Sequence, residues 1–458
     1  MLTRRAFLVR SLSLTGAVAL LAACGTPPAA SPTAAPKATD APKPAATTAP
    51  AATAAPAATQ APAAAKPSGP QVTVTFWSGV DPPVKKFLEE DLLPRFQKEN
   101  PDIKVEATLL LWMEFFQKVS VAFTGGIGPE VVGSGYGQLG SMIGNKWMQP
   151  IDDALKTWTD LADFDGPALD SGKKDGKRYA VLVPGVRPFN YRKDYYKEAG
   201  YDPEKSPKDW GELRTYSKKL VKLDRDKVTR GGMEIPLKNG EQTFASFAFC
   251  NGLKNLWDEA GMPLFDSPEA RETADYILKL MYEDNVVIPS DQQGVTGTAF
   301  QNGLAAQGYL QSQLYAAVEK ASPGVLGVGL PPASTKQGSK QTSLVLGTFY
   351  GLGSKVKNMD AAAKLLKFLC SPDSLWTHYA QAGFQVPRKS LKDRFAKDKP
   401  YNAMVNKSME DMQGWPIFPT FLEARQVIVT HLEAIYLKQR TPQEGFKLAA
   451  EDTKKLIK

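Results

Sequence analysis

Three sets of residues in this 458-residue chain have types and spacings that could do chemistry. Gly135-x-Gly137-x-x-Gly140 has the spacing of a dinucleotide-binding turn, where glycines let backbone approach a pyrophosphate. Asp152 and Asp153 offer the paired carboxylates that glycoside hydrolysis uses. His378 and His431 could serve as metal ligands. None develops into a reactive centre. The glycine motif lies well inside the chain rather than in its first βαβ unit, and the next acid, Asp152, follows Pro150 at a helix start instead of ending a strand. Adjacent aspartates at a helix start point apart, and their charge complements the helix dipole. Neither histidine has a cysteine or carboxylate at ligand spacing, and no Gly-x-Ser-x-Gly elbow, Walker loop or His-Glu-x-x-His occurs. No catalytic residue, metal or cofactor is expected.

The elements that would position such residues alternate between strand and helix. In 71-QVTVTFWSG-79, apolar Val72, Val74 and Phe76 alternate with polar neighbours, which predicts a strand. Along 84–100, Val84, Phe87, Leu88, Leu92 and Phe96 share one helical face, with a kink expected at Pro94. A strand follows over 103–110. Three helices are predicted to start at Ser206-Pro207, Ser267-Pro268 and Ser371-Pro372, with serine capping and proline in the first turn. Glycine-bearing loops fall at strand ends: 77–81, 133–138, 184–191 and 347–351. Several carry aromatics, and strand ends are where open α/β sheets bind ligands. The pattern predicts a shared cleft.

The N-terminus predicts export from the cytoplasm. Arginines in 3-TRRAFLVR-10 precede an apolar run over 11–24, too short for the roughly twenty residues of a membrane span. Thr3-Arg4-Arg5-x-Phe7-Leu8 resembles a twin-arginine export motif, and Leu21-Ala22-Ala23-Cys24 resembles a lipobox that would make Cys24 the lipidated first residue. Residues 1–23 are therefore expected to be a signal peptide. Residues 24–70 are expected to be the anchor and a disordered tether, since 11 prolines and 19 alanines in 25–70 offer little to bury. Its reach is about 140 Å. Setting aside three leader arginines and two net tether charges, the formal +8 falls to +3 for residues 71–458, without a basic stripe for nucleic acid. The remaining length suggests two domains. Cys250 and Cys370 sit in apolar surroundings and are expected to be separate buried thiols.

Seven segments in order carry a family resemblance. They are 74-VTFWSG-79, 96-FQKENPDIKVEA-107, 128-GPEVVGSGYGQLGSMIGNKWMQPID-152, 176-GKRYAVLVPGVRPFNYRKDYYKEAG-200, 209-DWGELRTYSKKL-220, 300-FQNGLAAQGYLQS-312 with 328-VGLPP-332, and 361-AAAKLLKFLCSPDS-374 leading to 381-QAGFQVPRKS-390. Over about 71–458 the chain resembles the family 1 extracellular solute-binding proteins, the maltose-binding type that serves ABC importers. The resemblance implies an α/β, two-lobed, type II periplasmic-binding-protein-like fold. Its lobes would be 71–186 with 345–380 and 187–344 with 381–458, closing on a hinge. It implies a monomer, lipid-anchored to the outer face of the cytoplasmic membrane, that hands a small solute to ABC permease subunits without nucleic acid.

The resemblance also nominates a ligand-binding set. One wall would offer Trp77, Ser78, Trp112, Ser134 and Tyr136; the other Arg187, Phe249, Asn251, Gln311 and Arg425; and the crossing strand Phe349 and Tyr350. Aromatic faces and amides suit a carbohydrate. Asp81 and Glu114 are the acids placed to reach it, while Arg187 and Arg425 would suit an anion such as a glycerol phosphate derivative. An exported carbohydrate-active enzyme on a similar frame and a sensor lipoprotein coupled to a signalling receptor are the remaining alternatives.

Overall fold

The computed structural model describes residues 71–289 and 297–457, so the expected signal peptide, Cys24 and the expected tether lie outside the described residues. Strand β1 (Val72–Val80) buries Val74 and Phe76 completely, as its alternation predicts. It runs parallel to β2 (Ile103–Leu111), with Val72 opposite Ile103, and to β3 (Val131–Gly135), with Phe76 opposite Val131. The chain continues along β4 (Ala180–Arg187), passes Pro188 and enters β5 (Phe189–Arg192) in a different sheet. There β5 is the central strand, antiparallel to β6 (Gln307–Tyr309) and β7 (Leu326–Gly329). It returns through β8 (Ser343–Gly353), which lies antiparallel to both β3 and β4 in the first sheet. With Met148–Gln149 and Met412–Gln413, that sheet has seven strands.

Helices cover both sheets. In the first part, α1 (Trp112–Thr124) follows β2 directly. In the second, α2 (Trp210–Leu220), α3 (Glu241–Phe249) and α4 (Pro268–Leu278) pack in turn. Then α5 (Met359–Leu369) lies on β1, β3 and β8 with Ala362, Leu365, Leu366 and Leu369 fully buried, and α6 (Pro372–Ala382) follows it. The C-terminal pair α7 (Phe421–Tyr436) and α8 (Pro442–Leu456) packs mutually and against α4. Two of the three serine caps form: Ser267 Oγ accepts from the Ala270 amide and Ser371 Oγ from that of Ser374. The third start lies three residues later than expected. Asp209 caps α2 by accepting from Glu212 N at 2.9 Å, and Ser206-Pro207 stays in the preceding loop. A carboxylate outcompetes an upstream hydroxyl for the helix's free amides because charge adds to the hydrogen bond.

Pro94 acts through a widened turn. The segment Pro82–Phe87 continues into a π turn, Leu88–Leu92, before Leu93–Glu99. Proline supplies no N–H and crowds the preceding turn's carbonyl, and the π turn absorbs that mismatch. The apolar face survives: Val84, Phe87, Leu88, Leu92 and Phe96 are all buried. Cys250 and Cys370 are separate buried thiols, each pushed up to about 12 by burial. Among the described residues no helix is long and apolar enough to cross a membrane, and no three His, Cys, Asp or Glu side chains gather as a metal site.

His378 illustrates how tightly the first sheet is packed. Its Nε2 shares a 2.9 Å hydrogen bond with the Tyr350 hydroxyl, and burial pushes its imidazole down to about 3. The unfolded chain takes up this proton near pH 6.5 while the folded chain refuses it. The stabilising contribution is therefore full above pH 6.5 and falls as pH drops toward 3. Denaturant unfolding between pH 6.5 and 4 should lose up to about 1.4 kcal/mol per pH unit from this group. His378→Gln should flatten that slope, whatever it does to stability at pH 7.

Candidate functional site

The carboxyl ends of β1, β2 and β3 open onto a cleft of about 250 Å³ whose opposite side comes from the second sheet's helices and loops. On the first side, Asp81 follows β1, Trp112 and Phe116 start α1, and Gly135 ends β3, followed by Tyr136, Gly137 and Gln138. Opposite them stand Gln242 near the start of α3, Gln311 and Gln313 after β6, and Phe384 after α6. Trp415, Phe421 and Arg425 complete that side. Between the two, β8 contributes Leu346, Gly347 and Thr348 from its middle.

Aromatic packing fixes the apolar part. Trp112 lies 5.7 Å from Phe116 between ring centroids, and its Nε1 donates to Asp81 Oδ1 at 3.1 Å. That bond leaves Asp81 a second oxygen for a ligand. Trp415 sits 6.0 Å from Phe421 and 5.9 Å from Trp257, which is buried behind it. Tyr136 is buried, and desolvation pushes its hydroxyl well above the ordinary tyrosine value, so it stays protonated.

One arginine lines the cleft and a second stands behind it, and both are engaged. Arg425 Nε and Nη2 each lie 2.8 Å from Oε1 of Glu241, a carboxylate with no exposed surface. Arg187 stands behind the lining: Nη1 donates to Gln242 Oε1 at 3.0 Å and Nη2 to the Tyr309 carbonyl at 2.7 Å. Burial pulls Arg187 down to about 10, and Glu241 and Glu234 oppose that shift, so it remains charged at neutral pH.

The nominated residues separate into a lining group and a supporting group. Trp112, Tyr136, Gln311 and Arg425 line the cleft together. Phe249 lies behind it, 6.3 Å from Trp415. Asn251 Nδ2 is tied to the Glu269 carbonyl and the side chains of Glu272 and Thr273, at α4. Trp77 packs half-buried against the core, and buried Ser78 donates to its neighbour's carbonyl, Gly79 O, at 3.2 Å. Ser134 is buried in β3, its hydroxyl enclosed without a partner. Phe349 and Tyr350 lie in the sheet, opposite Leu182 and Val181 of β4. Glu114 is exposed and paired with Lys118 Nζ at 2.6 Å. Trp415 and Phe421 also line the cleft without being nominated by the sequence pattern, although 413-QGWPIFPTF-421 concentrates aromatics and prolines in a way that marks a rigid apolar loop.

The glycine cluster serves close packing and access together. Gly135 and Gly137 are on the lining. Gly140 is not: a Cβ there would come within 2.4 Å of the Phe418 carbonyl and 2.6 Å of its nitrogen. The third glycine lets the short helix Leu139–Gly144 seat on the 415–421 loop, rather than on a dinucleotide.

With this geometry the comparisons agree on one class. Residues 78–375 match the family model described as bacterial extracellular solute-binding protein, and the chain belongs to that family. It is 24% identical over 422 residues to the sn-glycerol-3-phosphate-binding periplasmic protein UgpB of Shigella dysenteriae, covering 84% of this chain and 92% of the relative. An ABC transporter solute-binding protein from Thermotoga lettingae, bound with alpha-D-tagatose, shares the fold with a TM-score of 0.73 at 22% identity, over 84% of this chain and 100% of that one. A Listeria monocytogenes ABC substrate-binding protein in complex with cycloalternan aligns with a TM-score of 0.73 at 19% identity, over 84% and 99%. The fold is thus the two-lobed, type II periplasmic-binding-protein-like one, with a hinge between the lobes.

Because Gly140 abuts backbone that has no side chain to move aside, Gly140→Ala should cost on the order of 1–3 kcal/mol in denaturant unfolding. Gly166→Ala, where the added Cβ meets nothing within 4 Å, should cost far less. Equal losses would contradict the packing role.

Proposed function

We propose that the cleft captures a neutral carbohydrate between two lobes, 71–186 with 345–380 and 187–344 with 381–458, that close over it. The loaded protein then delivers the sugar to an ABC importer. One observation carries this reading: the charges around the cleft cancel. Arg425 is paired with buried Glu241, and the lining itself carries one positive side chain, Arg425, and one negative, Asp81. The rest of the lining includes four glutamines and a set of aromatic rings, the combination that binds sugar hydroxyls and C–H faces. Contacts to both walls make binding favour the closed form.

A second reading is supported by Arg425 on the lining and by the similarity to UgpB: an anionic solute such as a glycerol phosphate. Against it stands Asp81, whose carboxylate would repel a phosphate. Thermal unfolding of the protein with neutral mono- and oligosaccharides, and with sn-glycerol 3-phosphate, separates the two. A solute at 100 times its Kd adds about 2.7 kcal/mol to native-state stability. The expected result is a shift with a neutral sugar that Trp112→Ala weakens roughly tenfold or more in affinity. A shift confined to glycerol phosphate and lost in Arg425→Gln would establish the anionic reading instead.

We also propose that Cys24 carries the lipid that holds the protein at the outer face of the cytoplasmic membrane. Cys24→Ser should move the protein from the membrane pellet to the soluble fraction, and its retention in the pellet would contradict the anchor.

A further inference from the structure

Gln242 differs from the other glutamines around the cleft. Among the described residues no side-chain hydrogen bond holds Gln138, Gln311 or Gln313, and Gln313 Oε1 is enclosed without a partner. The amides of Gln138 and Gln311 can turn either way to suit a solute. Gln242 cannot turn freely, because its partner at 3.0 Å is Arg187 Nη1. A guanidinium has five N–H donors and no acceptor, so only the amide oxygen can meet it. The geometry therefore fixes the amide orientation by chemistry: Oε1 faces Arg187, and Nε2 is left for the cleft. Arg187 is itself held by its second bond, to the Tyr309 carbonyl at 2.7 Å, and by its place at the end of β4 opposite Leu344.

We propose that Arg187 is a positioning residue for specificity: without touching solute, it makes Gln242 a donor-only group, so the solute must present an acceptor oxygen at that point. Arg425 on the same side is donor-only as well, by its own chemistry, and Glu241 fixes its direction. Asp81, across the cleft, accepts from Trp112 with Oδ1 and keeps Oδ2 as an acceptor. The cleft thus has a polarity, with donors on the wall of α3 and α7 and an acceptor on the wall of β1. A solute oxygen that accepts from Gln242 can be a ring or glycosidic ether as readily as a hydroxyl. A solute that offers only N–H groups there is refused, since an unpaired buried donor costs affinity. This inference rests on the reading of the cleft as the solute site.

Four variants of the full-length chain test it by calorimetric titration: Gln242→Glu, Gln242→Met, Arg187→Met and the double Arg187→Met/Gln242→Met. The probe is whichever of maltose, mannobiose or tagatose binds the wild type. Gln242→Glu keeps an oxygen on Arg187 but turns a second oxygen into the cleft, so it should weaken binding at least tenfold more than Gln242→Met. Arg187→Met should lose roughly tenfold alone and less than twofold in the Gln242→Met background, the signature of coupling through Gln242. A merely structural Arg187 would cost the same in both backgrounds and overturn the positioning role. Equal losses for Gln242→Glu and Gln242→Met would overturn the donor assignment while leaving the carbohydrate reading intact. If no sugar binds the wild type, that reading fails, and the same series against sn-glycerol 3-phosphate decides the donor assignment, since a phosphate oxygen also requires a donor. A wild type that binds neither probe overturns both.

Discussion

Antiparallel to both β3 and β4, β8 ties the first sheet to a strand that leads straight into the second. Its two edges are paired unequally. Along one, β4 bonds β8 from Ala180 opposite Gly351 to Arg187 opposite Leu344. Along the other, β3 ends at Gly135 opposite Thr348, and Met412–Gln413 takes up only Ser343 and Leu344. Residues 345–347 fall between those partners, and there the cleft opens onto Leu346, Gly347 and Thr348. Backbone groups left by a sheet need partners from water or a solute. Gly347, at φ 131°, takes a conformation that side chains rarely adopt, and a Cβ there would lie 2.2 Å from the Val183 carbonyl. The candidate cleft thus sits at a gap in the pairing along one edge of β8.

From that seating follows the electrostatic design. Arg187 ends β4, so its guanidinium reaches α3 behind the lining, where Gln242 and the Tyr309 carbonyl receive it. Glu241, one residue earlier on α3, takes Arg425 from α7. Two consecutive residues of one helix therefore each hold one arginine. A buried carboxylate that lost its guanidinium would be destabilising by about 3–5 kcal/mol, so the Glu241–Arg425 pair is a fixed part of the wall rather than a free anion trap.

Much of this was legible in the residues. Alternation in 71–79 and the apolar face of 84–100 gave real elements, and their order gave the family. The cleft itself was legible in part, because strand-end loops carried Trp112, Tyr136 and Gln311. Phe349 and Tyr350 show where local reading stops. The sequence suggests a loop at 347–351, but the chain continues there as strand β8, and which of its residues face a cleft depends on where β3 ends beside it. That is a pairing fact with no local signature. Arg187 shows a second limit, since its type suggests a ligand contact while its partners, 55 and 122 residues away, decide that it supports one. Ser206 shows a third: a good cap lost to a better one three residues on.

The central claim is that the solute is neutral because the charges of the cleft cancel. Titration calorimetry of the bound solute at about 20 mM and about 500 mM sodium chloride tests it most directly, because salt screens ionic contacts and leaves aromatic packing and neutral hydrogen bonds nearly untouched. The account predicts a Kd that changes less than twofold between the two conditions. A tenfold or greater loss of affinity at high salt would show that an ion pair carries the binding, and would contradict the account.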